Sequence, residues 1–128
     1  MIYLDTSVAL AYLLAEDRHP ADAFFEQRLI ASRLLEYELF TVLSARKCHA
    51  SHGAAAERLL RRVALVEMER PMLERALTPF PAPVRTLDAL HLATCDYLRS
   101  LGHAPVLASY DQRLTSAAQA IGLETMEP

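Results

Sequence analysis

The chain of 128 residues has the size of one compact domain and is too short for two. Apolar residues make up 52% of it and charged residues 23%, a composition that is typical of a folded domain and excludes a disordered chain. Its formal net charge of −3 argues against a protein that grips nucleic acid through a generally basic surface. Any role with nucleic acid would therefore need local arginine clusters and a bound cation.

Short apolar runs alternate with longer segments of helical periodicity along the chain. Strands are predicted at residues 2–4, 29–31, 63–66, 105–108 and 123–126. Helices are predicted at residues 8–14, 20–28, 34–49, 54–62, 72–77, 87–101 and 111–122. This alternation predicts an α/β fold, in which a central, mostly parallel sheet of about five short strands is flanked by helices.

Several residues are expected to start or stop these helices. Gly53 is predicted to break the chain between two helices, Thr86 to cap a later helix, and Gly102 to close that helix. The stretch from Pro79 to Pro83 contains three prolines, which cannot continue a helix, so it is predicted to be a stiff loop.

The cysteines and the N-terminus bear on where the protein works. Cys48 and Cys95 show no metal-binding spacing and are predicted to be buried free thiols in a reducing compartment. The apolar N-terminus carries Asp5 and no basic segment, which is unlike a secretory signal, and no stretch approaches membrane-spanning length. We therefore expect a cytoplasmic protein without a membrane anchor.

Acidic residues follow two of the predicted strands. Asp5 comes directly after residues 2–4, and Asp111 comes soon after residues 105–108. Ligands bind at the carboxyl ends of parallel strands, so both carboxylates are expected at one edge of the sheet. Asp88 lies in the first turn of a helix that is apolar nearly all round, which indicates burial. Such acids repel one another unless a cation is present, and hard oxygen ligands suit Mg²⁺ or Mn²⁺.

Each aspartate also has a purely structural explanation. Asp5 and Asp111 are good helix caps, and Asp88 complements a helix dipole. Taken singly, each is better explained in this way, and the case for a metal site lies in the group. A fourth acid stays open, because periodicity places Glu36 and Glu38 on opposite borders of one apolar stripe and does not choose between them.

Four segments resemble the acidic motifs of the PIN-domain family, especially the VapC-type toxins of prokaryotic toxin–antitoxin pairs. In chain order they are Met1–Ser7, Ser32–Leu39, Arg85–Ala93 and Ala108–Leu114. The third segment is the most specific of the four, and in the second the match falls on Glu38 rather than Glu36. The stretch from His49 to Val84 carries no family signature.

The resemblance implies a single PIN domain with a PIN-like fold over residues 1–128. It implies a Mg²⁺- or Mn²⁺-dependent endoribonuclease that hydrolyses RNA phosphodiester bonds as the toxin of a type II toxin–antitoxin system. A cognate antitoxin protein and a homodimer are implied as partners, in addition to the RNA substrate.

The resemblance also assigns roles to individual residues. Three aspartates would hold the metal, directly or through water: Asp5, Asp88 and Asp111. Glu38 would complete the catalytic set and orient or deprotonate the attacking water. Three hydroxyl side chains are candidates to fix the carboxylates by hydrogen bonds: Thr6, Ser7 and Ser109.

Two basic clusters are candidates to follow an RNA backbone. They are Arg58, Arg61 and Arg62 on one helix, and Arg46 with Lys47 at the end of another. A solvated helix face is the favoured explanation for each cluster. His91, beside the third acidic segment, is expected to be a packed or hydrogen-bonded core residue rather than a general base.

Two other functions compete with the nuclease. A phosphoacceptor receiver-like signalling domain would need paired acids after the first strand and a late lysine, but Thr6 follows Asp5 and no lysine occurs after Lys47. A non-catalytic PIN-fold binding protein is disfavoured by the intact set of four acids. Only three glycines are present, too few and too scattered for a Gly-rich nucleotide motif.

Overall fold

Five short strands form the centre of the protein in a computed structural model that describes all 128 residues. The strands are β1 (Ile2–Leu4), β2 (Leu29–Ser32), β3 (Val63–Val66), β4 (Val106–Ala108) and β5 (Glu124–Met126). The helices are α1 (Thr6–Leu13), α2 (Leu34–Ala45), α3 (His49–Leu60), α4 (Arg70–Leu77), α5 (Thr86–Ser100) and α6 (Gln112–Ala120). A short 3₁₀ helix, Asp22–Glu26, stands where a longer helix over residues 20–28 was expected.

The sheet has the strand order β3-β2-β1-β4-β5, and every neighbouring pair is parallel. The predicted α/β fold with a mostly parallel sheet of about five strands is therefore confirmed. The chain builds outward from β1 to β3 and then returns to place β4 on the other side of β1. The direction of winding reverses between β1 and β4, and ligands of parallel α/β sheets bind in the crevice at such a point.

The side chains of β1 alternate between two hydrophobic cores, as the pleat of a strand requires. Leu4 packs in the core that lies under α1, α2 and α3. Tyr3 packs in the opposite core, with residues of α5 and α6. Both residues are 0% exposed. Helices therefore cover both faces of the sheet, and only its edges are open to solvent.

The break between α2 and α3 lies earlier than predicted. Helix α2 ends at Ala45, and Lys47 adopts a φ of +55°. The N–H of Cys48 donates to the carbonyl of Leu43 at 2.9 Å, which closes the helix with a Schellman motif. Gly53 lies inside α3, so the prediction that it breaks the chain was wrong. An interior glycine costs a helix only about 0.5–1 kcal/mol, which the packing of α3 overcomes.

Three smaller predictions can be compared with the structure. Thr86 is the first residue of α5 and makes no capping hydrogen bond, so its predicted role as a cap was wrong. Cys95 is buried, but Cys48 is only partly buried; both are free thiols. No helix combines the length and apolar character that crossing a membrane requires.

Candidate active site

The four predicted acids all lie near the start of a helix. Asp5 follows β1 and caps α1, and Asp111 follows β4 and caps α6. Asp88 lies in the first turn of α5, and Glu38 lies in the second turn of α2, which follows β2. Because β1, β2 and β4 are parallel, their carboxyl ends open at the same edge of the sheet. The positive end of a helix dipole also favours a carboxylate in these positions.

Asp5 is held by three hydrogen bonds to one of its oxygens. Its Oδ2 accepts from the hydroxyl of Ser7 at 2.5 Å, from the N–H of Ser7 at 3.3 Å and from the hydroxyl of Ser109 at 2.8 Å. Its Oδ1 accepts no hydrogen bond. The side chain is only 6% exposed, so its orientation is fixed while one oxygen stays available.

The same two hydroxyl groups connect Asp5 with the chain around Asp111. Ser109 accepts from the N–H of Asp111 at 2.9 Å, and Ser7 accepts from the N–H of Tyr110 at 3.0 Å. Asp111 uses its Oδ1 to cap α6, accepting from the N–H of Arg113 at 3.0 Å. Its Oδ2 accepts no hydrogen bond. The two strand-end acids are thus joined through serine side chains, and each retains a free oxygen.

Thr6 behaves differently from the two serines. It is buried, and its hydroxyl is the one buried side-chain polar atom in the protein that has no hydrogen-bond partner. It makes no hydrogen bond to any of the four carboxylates. Of the three hydroxyl residues predicted to fix the acids, the structure brings Ser7 and Ser109 to them and leaves Thr6 apart.

Glu38, and not Glu36, is linked to the aspartates, through His91, on which Asp5 and Asp88 also act electrostatically. Oε1 of Glu38 makes a short hydrogen bond with Nε2 of His91, and Oε2 of Glu38 has no hydrogen-bond partner. Glu36 instead forms an exposed ion pair with Arg33 at 3.3 Å. The hydrogen bonds therefore separate the two glutamates that helical periodicity left equivalent.

His91 is buried, and both of its ring nitrogens have partners. It is 1% exposed; Nδ1 lies 2.7 Å from the hydroxyl of Tyr3, and Nε2 contacts Glu38. Burial alone would lower the pKa of His91, but the hydrogen bond and charge of Glu38, together with Asp5 and Asp88, outweigh it and raise the pKa. His91 is thus a hydrogen-bonded core residue, as predicted.

Asp88 is half-buried and has neither a hydrogen bond nor an ion pair. Its pKa is raised, first by burial and then by the negative charges of Asp111 and Asp5. Since a neighbouring charge acts strongly only at short range, these three acids share one electrostatic environment. None of them has a cationic side chain as a partner.

The chemistry of this edge fits a hard divalent cation. Each of the four acids has at least one carboxylate oxygen that accepts no hydrogen bond. The hydroxyl of Thr6 is the only side-chain polar atom that is both fully buried and without a hydrogen-bond partner, so these carboxylate oxygens are in contact with solvent. Oxygen donors are what Mg²⁺ and Mn²⁺ prefer, and a cation would relieve the repulsion that raises the pKa of Asp88. No three acids are gathered closely enough to hold an ion as they stand.

A groove of about 690 Å³ adjoins Asp111, the one of the four acids that lines it. The guanidinium of Arg18 lies in this groove, 4.4 Å from the centroid of the Tyr110 ring. The other lining residues are Ser7, Leu10, Glu16, Asp17 and Asp111, so the groove is acidic. Arg18 was not singled out from the sequence, because a lone arginine in a loop carries no pattern. Tyr3 was also missed, although a tyrosine in a buried strand signals a hydroxyl that needs a partner.

The predicted basic clusters lie elsewhere. Arg58 and Arg62 line a separate cavity of about 160 Å³, and none of the four acids contributes to it. Arg46 and Lys47 follow the last turn of α2, about 12 Å along the helix axis from Glu38. The structure does not bring either cluster to the acids, and their contact with RNA stays a prediction.

Comparison with known proteins agrees with this geometry. The family model of the PIN domain matches residues 2–120. Ribonuclease VapC35 of Mycobacterium tuberculosis is 32% identical over 134 residues, which cover 100% of this chain and 97% of that protein. Ribonuclease VapC46 of the same organism is 32% identical over 136 residues, covering 99% and 97%. The crystal structure of M. tuberculosis VapC20, described as a Sarcin-Ricin loop cleaving toxin, superposes with a TM-score of 0.74 at 24% identity and 100% coverage of both chains.

Proposed function

Because this chain belongs to the PIN-domain family, we propose that it is a Mg²⁺- or Mn²⁺-dependent endoribonuclease, the toxin of a toxin–antitoxin pair. The observation that carries the proposal is a set of three carboxylates without a cationic partner, Asp5, Asp88 and Asp111, which interact electrostatically at the point where the winding of the sheet reverses. Glu38 is linked to them through His91. The relatives are named as ribonucleases, and this chain aligns with 97% of their length, which supports the same activity.

Three aspartates would hold the cation, directly or through water: Asp5, Asp88 and Asp111. When bound, the cation would neutralise negative charge on the phosphate group. Ser7 and Ser109 keep Asp5 in one orientation, which preorganises its free Oδ1. Half-burial keeps part of the water away from Asp88, so its interaction with a cation is stronger than it would be in open solvent.

Glu38 would act on the attacking water. Its Oε1 is occupied by His91, whereas its Oε2 is free to accept the proton that the water loses on attack. The neighbouring aspartates would be engaged with the cation, so Glu38 is the acid best placed to take up a proton. This division of labour agrees with the roles implied by the family motifs.

The groove beside Ser7 and Asp111 offers a path for the RNA backbone. The groove lining is acidic, because it includes Glu16, Asp17 and Asp111, so a bound cation would have to reverse the local field for the scissile phosphate. Arg18 is the one basic side chain in the lining. Arg18 lies 3.5 Å from Glu127 and over the ring of Tyr110, and its side chain is exposed, so it is accessible to a phosphate.

The cognate antitoxin, the homodimer and the cytoplasmic location stay part of the proposal. Large apolar side chains are exposed on α4 and at the start of α5, including Leu77 at 85% and Leu73 at 47%. Such exposure supports contact with a second copy of the chain. Light scattering of the purified protein would measure its mass directly, and a monomer at micromolar concentration would contradict the homodimer.

Cleavage of RNA in Mg²⁺ and in EDTA tests the nuclease. We expect wild-type cleavage to need the metal, and both Asp5→Asn and Asp88→Asn to lose it by at least about 100-fold. Glu36→Gln is the matched control, since it removes an exposed acid two residues from Glu38 on the opposite side of α2, and it should cleave like the wild type. RNA binding without metal-dependent cleavage would favour the non-catalytic alternative. Equal cleavage by all variants would indicate a contaminating nuclease.

A further inference from the structure

Glu38 is held from behind by a buried chain of polar groups. The N–H of Ser32 donates to the hydroxyl oxygen of Tyr3 at 3.1 Å, and that hydroxyl lies 2.7 Å from Nδ1 of His91. The opposite ring nitrogen, Nε2, contacts Oε1 of Glu38. The chain therefore runs from the backbone of β2, through a side chain of β1 and one of α5, to the acid on α2.

The polarity of this chain is set at its end. An ionised carboxylate only accepts hydrogen bonds, so Nε2 of His91 carries the proton. The ring is then oriented by its second contact, because Tyr3 meets it edge-on with an interplanar angle of 76°. Tyr3 in turn is 0% exposed and fixed by Ser32. Ser32 thus restrains Tyr3, Tyr3 restrains His91, and His91 restrains Glu38.

We propose that His91 and Tyr3 are positioning residues, which fix the carboxylate of Glu38 so that its free oxygen faces the reaction. A glutamate side chain has three rotatable bonds, and without a tether it would populate several rotamers in solvent. His91 engages one oxygen only and leaves the other free. At 1% exposure, with both nitrogens engaged, His91 does not itself reach RNA, which distinguishes this role from that of a general base.

The inference rests on the proposed nuclease function, since it concerns how Glu38 is presented. Kinetic variants test it. We expect His91→Leu to lower kcat about 10- to 100-fold with KM changed less than about threefold, because the tether orients a catalytic group and does not bind RNA. His91→Gln, which keeps a donor near the position of Nε2, should recover most of that loss. Tyr3→Phe should give a smaller loss in kcat of the same kind.

A combination of variants separates positioning from mere stability. In the background of Glu38→Gln, adding His91→Leu should lower kcat less than about threefold further, since the group that it positions is already disabled. Cys95→Ala is the control for packing, because Cys95 lies in the same core cluster as Tyr3 and makes no hydrogen bond to any of the four acids. It should lower the melting temperature and leave kcat within about twofold. Equal losses from His91→Leu in both backgrounds would overturn the inference.

A spectroscopic measurement needs neither RNA nor metal. In the metal-free protein, the ring ¹⁵N and ¹H signals of His91 should show a proton on Nε2. Its shift should move on Glu38→Gln and stay unchanged on Glu36→Gln. Unchanged signals in both variants would overturn the tether even if the enzyme cleaves RNA. A wild type that shows these shifts but cleaves no RNA would instead refute the proposed function and leave the tether standing.

Discussion

The hydroxyl of Ser109 donates a hydrogen bond to Oδ2 of Asp5 at 2.8 Å, between residues that are 104 positions apart in the chain. The same hydroxyl accepts from the N–H of Asp111 at 2.9 Å. One buried side chain therefore couples the acid that follows β1 to the acid that follows β4. The two strands are themselves joined beside it, since the N–H of Asp5 donates to the carbonyl of Ala108 at 3.0 Å.

Replacing Ser109 with alanine should affect both stability and metal binding. The N–H of Asp111 and one oxygen of Asp5 would lose a buried partner, which costs about 1–3 kcal/mol of unfolding free energy. Loss of the contact that orients Asp5 should weaken Mn²⁺ binding about 10- to 100-fold. Urea denaturation and titration calorimetry measure the two effects separately.

Two variants control the Ser109 prediction. Ser116→Ala removes an exposed hydroxyl from α6 and should change stability by less than about 0.5 kcal/mol. Ser109→Thr retains the hydroxyl, and it should bind Mn²⁺ nearly as well as the wild type. A loss of stability in Ser109→Ala with unchanged Mn²⁺ affinity would reduce Ser109 to a packing role.

Asp88→Asn should raise the stability of the metal-free protein. The raised pKa of Asp88 means that its charged form is disfavoured in the fold, by burial first and then by Asp111 and Asp5. The native state binds more protons at this position than the unfolded chain, so stability falls as pH rises from the ordinary aspartate pKa through the raised one. Below that window the penalty is absent, and above it the penalty is complete.

Thermal melts in EDTA at several pH values check this prediction. The melting temperature of Asp88→Asn should exceed that of the wild type at neutral pH, and the two should converge in acid. Addition of Mn²⁺ should reverse the order, because a ligand stabilises the wild type in proportion to its affinity for the native state. A variant that melts lower than the wild type in EDTA would show that Asp88 makes a favourable contact in the metal-free fold.

The two cysteines should differ in reactivity. Burial raises the pKa of the Cys95 thiol strongly, and the thiolate is the reactive form, so Cys95 should be inert in the folded protein. Cys48 is partly exposed and should react. Titration with a chromogenic disulfide should therefore count one thiol in native buffer and two in denaturant. Cys48→Ser should abolish the native signal, and rapid labelling of two thiols in native buffer would contradict the burial of Cys95.

Much of the fold could be read from local patterns. The apolar runs that end at Asp5 and shortly before Asp111 predicted β1 and β4, and parallel winding then placed both acids at one edge. Gly102 and Gly122 marked the ends of α5 and α6, and both adopt positive φ. In such cases the residue type itself carries the conformational preference, so a single position suffices.

Other features depend on contacts that are distant in sequence. Ala15 and Lys47 end α1 and α2 with positive φ, at 47° and 55°, although neither residue type signals a helix end. The choice between Glu36 and Glu38 is made in the structure by His91, which is 53 positions away from Glu38. Local periodicity contains no information about such a partner, and only the family resemblance favoured Glu38, the glutamate that contacts His91 in the structure.

Glycine-to-alanine exchanges at two sites should have opposite effects on stability. Gly53 lies inside α3, where an added Cβ would meet only the ring of His49 at 3.7 Å, an ordinary contact. Gly53→Ala should therefore raise the unfolding free energy by about 0.5–1 kcal/mol. Gly102 has a φ of +89°, so Gly102→Ala should lower it by about 1 kcal/mol or more, although nothing crowds the site. Urea denaturation measures both, and a destabilising Gly53→Ala would mean that α3 is interrupted there after all.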